Sequence, residues 1–152
     1  MTLFYLDSSA WLKRYFLEPG SGWMMRLFEI GIPLASSVLG YLEVASALAR
    51  QPVSRKRDED QLARLQQQLE EDWGELTGFP LTDETVARAV RLARGYKLRG
   101  ADALHLATAL GVNDALAGTG NSLVLIASDE NLLAAAQQTG LAVENPVIAA
   151  SP

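Results

Sequence analysis

The chain contains no cysteine among its 152 residues, which excludes disulfide frameworks, thiolate zinc sites and cysteine nucleophiles. It holds 1 histidine, His105, so no multi-histidine metal site can be assembled. Positive charge is in deficit. Against 18 Asp and Glu stand 13 Lys and Arg, and the formal charge of −5 excludes a dominant basic surface that grips nucleic acid by charge alone. A polyanion partner would have to be held locally. Long apolar runs are absent too: none approaches the ~20 residues of a membrane span. The opening Met1-Thr2-Leu3-Phe4-Tyr5-Leu6-Asp7 lacks the basic, apolar, small-residue order of a signal peptide. These features lead to the expectation of no membrane partner and a cytoplasmic location.

What is present suffices for one core. Hydrophobic residues make up 49% of the chain, with no internal repeat and no linker, so a single domain over 1–148 with a short tail, 149–152, is expected. Three apolar runs read as strands, Leu3 to Leu6, Ile32 to Ser36 and Leu123 to Ala127, with weaker candidates at Thr77 to Leu81 and Ala142 to Glu144. Helical patterns lie between them: Ser9 to Phe16, Val38 to Arg50, Ser54 to Leu76, a Thr82-capped segment to Tyr96, Asp102 to about Leu116, and a Ser128-capped segment ending at Gly140. In the third, Leu62, Leu65, Leu69, Trp73 and Leu76 form one stripe, and periodicity alone does not distinguish core from interface. Strands that alternate with helices and are apolar on both faces predict an α/β three-layer fold around a mostly parallel sheet. In such folds sites gather where strands end.

Four acids sit in apolar surroundings. Asp7 directly follows the first strand, and Glu43 interrupts the nearly all-apolar helix Val38 to Ala49. Asp102 begins the apolar run Ala103-Leu104-His105-Leu106-Ala107, and Asp129 follows the strand that ends at Ala127. Each alone has a structural explanation: a helix cap for Asp7, a solvent-facing strip for Glu43, a favourable helix N-terminus for Asp102 and Asp129. Arg50 is two turns from Glu43, too far for a simple pair. His105, one turn beyond Asp102 on the same face, reads first as a hydrogen-bonded core residue. Together the four acids suggest one strand-end crevice. Carboxylates crowded there repel unless a cation neutralises them, and an all-oxygen donor set selects hard ions, Mg²⁺ or Mn²⁺, that commonly bind phosphate as well. That is phosphoryl-transfer chemistry.

Four blocks in order carry a family resemblance: Tyr5-Leu6-Asp7-Ser8-Ser9-Ala10-Trp11-Leu12-Lys13, Ala35 through Arg50, Asp102-Ala103-Leu104-His105-Leu106-Ala107-Thr108-Ala109, and Ser128-Asp129-Glu130-Asn131-Leu132. In these the sequence resembles PIN-domain ribonucleases, specifically VapC-type toxins of toxin–antitoxin pairs, over nearly its whole length. The resemblance implies a Rossmann-like PIN domain in which Asp7, Glu43, Asp102 and Asp129 bind Mg²⁺ or Mn²⁺ and catalyse RNA hydrolysis by metal-activated water, with Ser9 near the metal. It also implies a homodimer and a small basic antitoxin whose tail enters the acidic crevice. Two departures are visible: Ser128 where the family more often has Thr, and Leu132-Leu133 in place of an aromatic after the last acid.

RNA contacts are expected from local cations: Lys13, Arg14, Arg50 and the run Arg55-Lys56-Arg57. A second group, Arg88, Arg91, Arg94, Lys97 and Arg99, leads into Asp102 and is also explained by ordinary helix-dipole complementation. Rival readings are a non-toxin PIN nuclease for RNA processing and, from another class, a receiver-like phosphate-accepting domain. The receiver pattern requires paired acids after the first strand and a lysine after a late one, and neither is present. A haloacid-dehalogenase-like phosphatase needs a second Asp where Ser9 stands.

Overall fold

The computed structural model describes residues 1–152. Five strands form one parallel sheet: β1 (Thr2–Leu6), β2 (Leu34–Ser37), β3 (Thr77–Phe79), β4 (Ser122–Ile126) and β5 (Ala142–Glu144). Seven helices intervene: α1 (Ser8–Trp11), α2 (Ser21–Glu29), α3 (Val38–Ala49), α4 (Lys56–Glu75), α5 (Asp83–Tyr96), α6 (Gly100–Leu116) and α7 (Glu130–Gln138).

The period-2 alternation of β1 and β4 builds both faces of the sheet. Leu3, Tyr5, Leu123 and Leu125 enter one buried cluster with Leu106 and Leu110 of α6 and Leu132 of α7. Leu6 and Ile126 enter the other with Trp11, Met24 and Leu27, Val44 and Leu48 of α3, and Leu69 of α4. The α4 stripe is therefore core packing: Leu69 and Leu76 are buried, while Leu62, Leu65 and Trp73 pack against the cluster from its margin. The Trp73 ring stacks 4.8 Å from Tyr41 and 6.1 Å from Trp11.

Several boundaries differ from the sequence reading. The second strand starts at Leu34, not Ile32, because Pro33 has no N–H to give the ladder; its carbonyl instead accepts from the Phe4 N–H. Pro80 likewise follows directly on the end of the third strand at Phe79. The first helix is only one turn of α-helix, passing at Leu12–Arg14 into a 3₁₀ turn. The helix Ser21–Glu29 has no counterpart among the helical patterns of the sequence. It starts after Gly20, whose φ of 92° disfavours any side chain and where a Cβ would come within 3.0 Å of Lys13 Cδ and 3.1 Å of Pro146.

The strand order β3-β2-β1-β4-β5 positions the site. From β1 the chain winds outward through β2 to β3, then returns to place β4 on the opposite side of β1. The segments after β1 and β4 consequently leave for opposite faces, α1 to one cluster and α7 to the other. Between these carboxyl ends lies the topological switch point, where doubly wound sheets open a crevice. Asp7 and Asp129 stand on its two sides.

Candidate functional site

Asp7 directly follows β1 and caps α1. Its backbone N–H donates to the Ile126 carbonyl at 2.9 Å, and its Oδ2 accepts from the Ser9 N–H at 3.2 Å and from the Ser9 hydroxyl. The Ser9 Oγ also accepts from the Ser128 N–H at 3.0 Å, so one hydroxyl ties together the segments following β1 and β4. Asp7 is only 2% exposed, and its Oδ1 has no hydrogen-bond donor. A buried carboxylate oxygen left unpaired is costly and calls for a cation.

Glu43 reaches the same edge from α3. Its partner is His105, not Arg50: His105 Nε2 lies 2.6 Å from Glu43 Oε1 and 3.4 Å from Asp7 Oδ1. Arg50 instead donates to Ser46 at 2.7 Å. Burial alone would lower the His105 pKa, but the carboxylates of Asp7, Glu43 and Asp102 outweigh it and raise the value. His105 is thus in the core, as its apolar helix suggests, yet it touches two of the four acids. The signal that marks it in the sequence is its spacing one turn from Asp102.

Asp102 lies in the first turn of α6, which begins two residues earlier than expected, with Arg99 as the N-cap. Burial, then the charges of Asp129 and Asp7, push its carboxyl above the usual range. Asp129 rather than Ser128 caps α7, its Oδ1 accepting from the Leu132 N–H at 2.9 Å. Arg99, 81% exposed, spans the two acids through long contacts of 3.4 Å to Asp102 and 3.5 Å to Asp129.

All four acids thus converge on one carboxyl-edge crevice, with repulsion felt between them. No three of them close into a ready-made cage. A hard ion such as Mg²⁺ does not need one, because it retains several waters and uses one or two carboxylates. The donor chemistry and the unpaired Asp7 Oδ1 therefore fit such an ion.

Two of the expected RNA contacts are committed elsewhere. Lys13 is buried and pairs with Glu18 at 3.0 Å. Arg14 grips Asp72 through Nε at 3.0 Å and a second guanidinium nitrogen at 3.1 Å, lying 4.4 Å from the Phe28 ring centre. Their position close behind Asp7 in sequence suggested phosphate contact, but the 3₁₀ turn directs them into internal pairs. On α4 the cations are exposed: Arg55 and Lys56 pair locally with Asp58, Glu59 and Asp60, and Arg57 makes no ion pair.

A doubly wound parallel sheet with acids converging at its switch point defines the class of this molecule. The chain belongs to the PIN domain family, which matches residues 4–138. Ribonuclease VapC45 of Mycobacterium tuberculosis (strain CDC 1551 / Oshkosh) is 39% identical over 114 residues, 75% of this chain and 79% of the relative. Ribonuclease VapC49 of Mycobacterium tuberculosis (strain ATCC 25618 / H37Rv) matches to the same extent, 39% over 114 residues. Among solved structures, FitAB bound to an IR36 DNA fragment superimposes with a TM-score of 0.68 at 16% identity, covering 96% of each chain. PAE2754 from Pyrobaculum aerophilum gives 0.64 at 20% identity, over 94% of this chain and 92% of its own. VapBC2 from Rickettsia felis, bound to a promoter DNA fragment, gives 0.64 at 14%, over 94% and 98%. At these identities the structural likenesses establish the fold. No helix is long and apolar enough to cross a membrane.

Proposed function

We propose that this chain is a Mg²⁺- or Mn²⁺-dependent endoribonuclease of the PIN family, a single domain over 1–148 acting as the toxin of a VapBC-type pair in the cytoplasm. The observation that carries the reading is the buried, unpaired Oδ1 of Asp7 at the switch point, surrounded by further acids. Relatives named ribonuclease VapC at 39% identity support the activity, and neighbours titled as VapBC or FitAB complexes support an antitoxin partner.

Asp7, Glu43, Asp102 and Asp129 are the residues that would hold the ion. When bound, the ion supplies a water of lowered pKa and offsets charge developing on the phosphate oxygens of the scissile phosphodiester. Ser9 holds Asp7 Oδ2, leaving Oδ1 for the ion, and secures the two strand ends against each other. Asp102 and Asp129 share Arg99 as a weak internal counter-charge, which a divalent ion would displace. No side chain need act as nucleophile. Water would be the nucleophile, giving up one proton to solvent as the departing ribose oxygen takes one up.

The net charge of −5 suits a small basic antitoxin entering the crevice. RNA needs local cations, and Arg50, Arg55, Lys56 and Arg57 are the exposed candidates, with Arg99 nearest the acids. We also propose a homodimer as the working form.

The test is incubation of purified protein with a mixed RNA pool, with Mg²⁺ or Mn²⁺ and then with EDTA. Metal-dependent cleavage that is lost in folded Asp7→Asn and Asp102→Asn proteins is expected. Degradation insensitive to chelation would overturn the mechanism.

A further inference from the structure

His105 is fully buried and makes two directional contacts, Nδ1 to the Tyr5 hydroxyl at 3.0 Å and Nε2 to Glu43 Oε1 at 2.6 Å. An ionised carboxylate only accepts, so the Nε2 facing Glu43 carries a hydrogen. The Tyr5 hydroxyl meets Nδ1, the other ring nitrogen, so both nitrogens of the imidazole are held by side chains from different elements. The same phenol ring meets the imidazole edge-on at 6.0 Å and 70°, which fixes the ring plane.

Backbone geometry brings the partners together. Helices α3 and α6 pack against opposite faces of the sheet yet meet at its carboxyl edge. Gly40, one turn before Glu43, permits this approach: a Cβ there would collide with Ser36 Oγ and come within 3.2 Å of His105 Cε1. The single Nε2–H is taken by Glu43 at 2.6 Å. Asp7 Oδ1, at 3.4 Å, is left without a donor.

We infer that His105 is the positioning residue of the acidic site: clamped by Tyr5, it anchors Oε1 of Glu43 beside the unpaired Oδ1 of Asp7 and so sets the orientation of a carboxylate that would hold the divalent ion. The inference rests on the metal-dependent reading above. A group hydrogen-bonded to a metal ligand typically affects metal affinity about 10- to 100-fold. A histidine that only filled space would affect stability and leave that affinity alone.

The experiment is a thermodynamic cycle on Mn²⁺ affinity, measured by calorimetry without RNA, in wild type, Glu43→Gln, His105→Leu and the double variant. Both single changes are expected to weaken Mn²⁺ binding by about 10- to 100-fold, with the double variant no weaker than the worse single one. Circular dichroism checks the fold. Should His105→Leu not fold, Tyr5→Phe, which removes only the hydroxyl, replaces it in the cycle with a smaller loss expected. Unchanged Mn²⁺ affinity in the folded histidine or tyrosine variant, or full additivity with Glu43→Gln, overturns the inference. Unchanged affinity in both Asp7→Asn and Glu43→Gln would instead overturn the metal reading itself.

Discussion

Two aspartates in this molecule are almost equally buried and are treated in opposite ways. Asp72 on α4 is 6% exposed and has both oxygens filled: Arg14 donates to each, Tyr15 donates at 2.6 Å and Gln68 at 2.9 Å. Tyr15 in turn accepts from Trp11 Nε1 at 3.1 Å. Burial, then the Asp72 carboxylate, pushes the Tyr15 phenol above its usual range, which keeps it protonated as a donor. Asp7, 2% exposed, has one oxygen held and the other unpaired, with acids rather than cations around it. A buried charge that is fully matched locks the fold. One left half-matched at a sheet's switch point stores a binding requirement, and stability is sacrificed for it.

The sharpest way to break the contrast is by activity. Asp7→Asn should reduce RNA cleavage by at least ~10³-fold, since several kcal/mol of charge stabilisation goes with the ion. The free protein should stay folded, because a repulsive charge is removed from the cluster. Asp72→Ala should do the reverse. Stripping the half-buried Arg14 of its partner is expected to cost about 3–5 kcal/mol, a fall in Tm on the order of 10 °C by calorimetry, with metal-dependent cleavage retained below the transition. Third, saturation with Mn²⁺ at about 100 times its Kd should stabilise wild type by about 2.7 kcal/mol. Thermal melts should show the same increment in Asp72→Ala and none in Asp7→Asn. The smallest effect concerns Arg99. Its long, exposed contacts are worth about 0–1 kcal/mol, so Arg99→Gln should tighten Mn²⁺ binding no more than a few-fold by calorimetry.

Much of this contrast was legible in the sequence on one side and not on the other. Asp7 announces itself because an acid directly following Leu3-Phe4-Tyr5-Leu6 must lie at the end of a buried strand. Glu43 and Asp102 stand out as isolated charges in apolar helices. Their convergence could be argued from topology, since strand ends share an edge. The Asp72 network could not. Arg14 and Asp72 are 58 positions apart, and on α4 Asp72 looks like one more acid among Glu70, Glu71 and Glu75. Only the packing of the Leu12–Arg14 turn against α4 turns it inward.

The same limit explains Lys13 and Arg14. Nearness to Asp7 along the chain suggested phosphate contact, while the tertiary fold supplied Glu18 and Asp72 as partners. Helix α2 leaves no mark in the sequence because its start depends on Gly20 at positive φ, with no side-chain cap. Ser128 was the natural cap by type, yet its backbone N–H is held by Ser9 and its neighbour Asp129 performs the capping. His105 lies in the core, as its apolar neighbours predict. Its link to Glu43 depends on α3 and α6 meeting across 62 positions of sequence, which no local pattern records.

The central claim is that Asp7 Oδ1 is unpaired because a divalent ion belongs there. Anomalous diffraction from a crystal soaked in Mn²⁺ tests it most directly. The account predicts a manganese peak within about 2.0–2.3 Å of Asp7 Oδ1, shared with at least one of Glu43, Asp102 and Asp129, with Arg99 moved off its acids. A saturated crystal with manganese bound elsewhere, and Asp7 Oδ1 still uncoordinated, would contradict it.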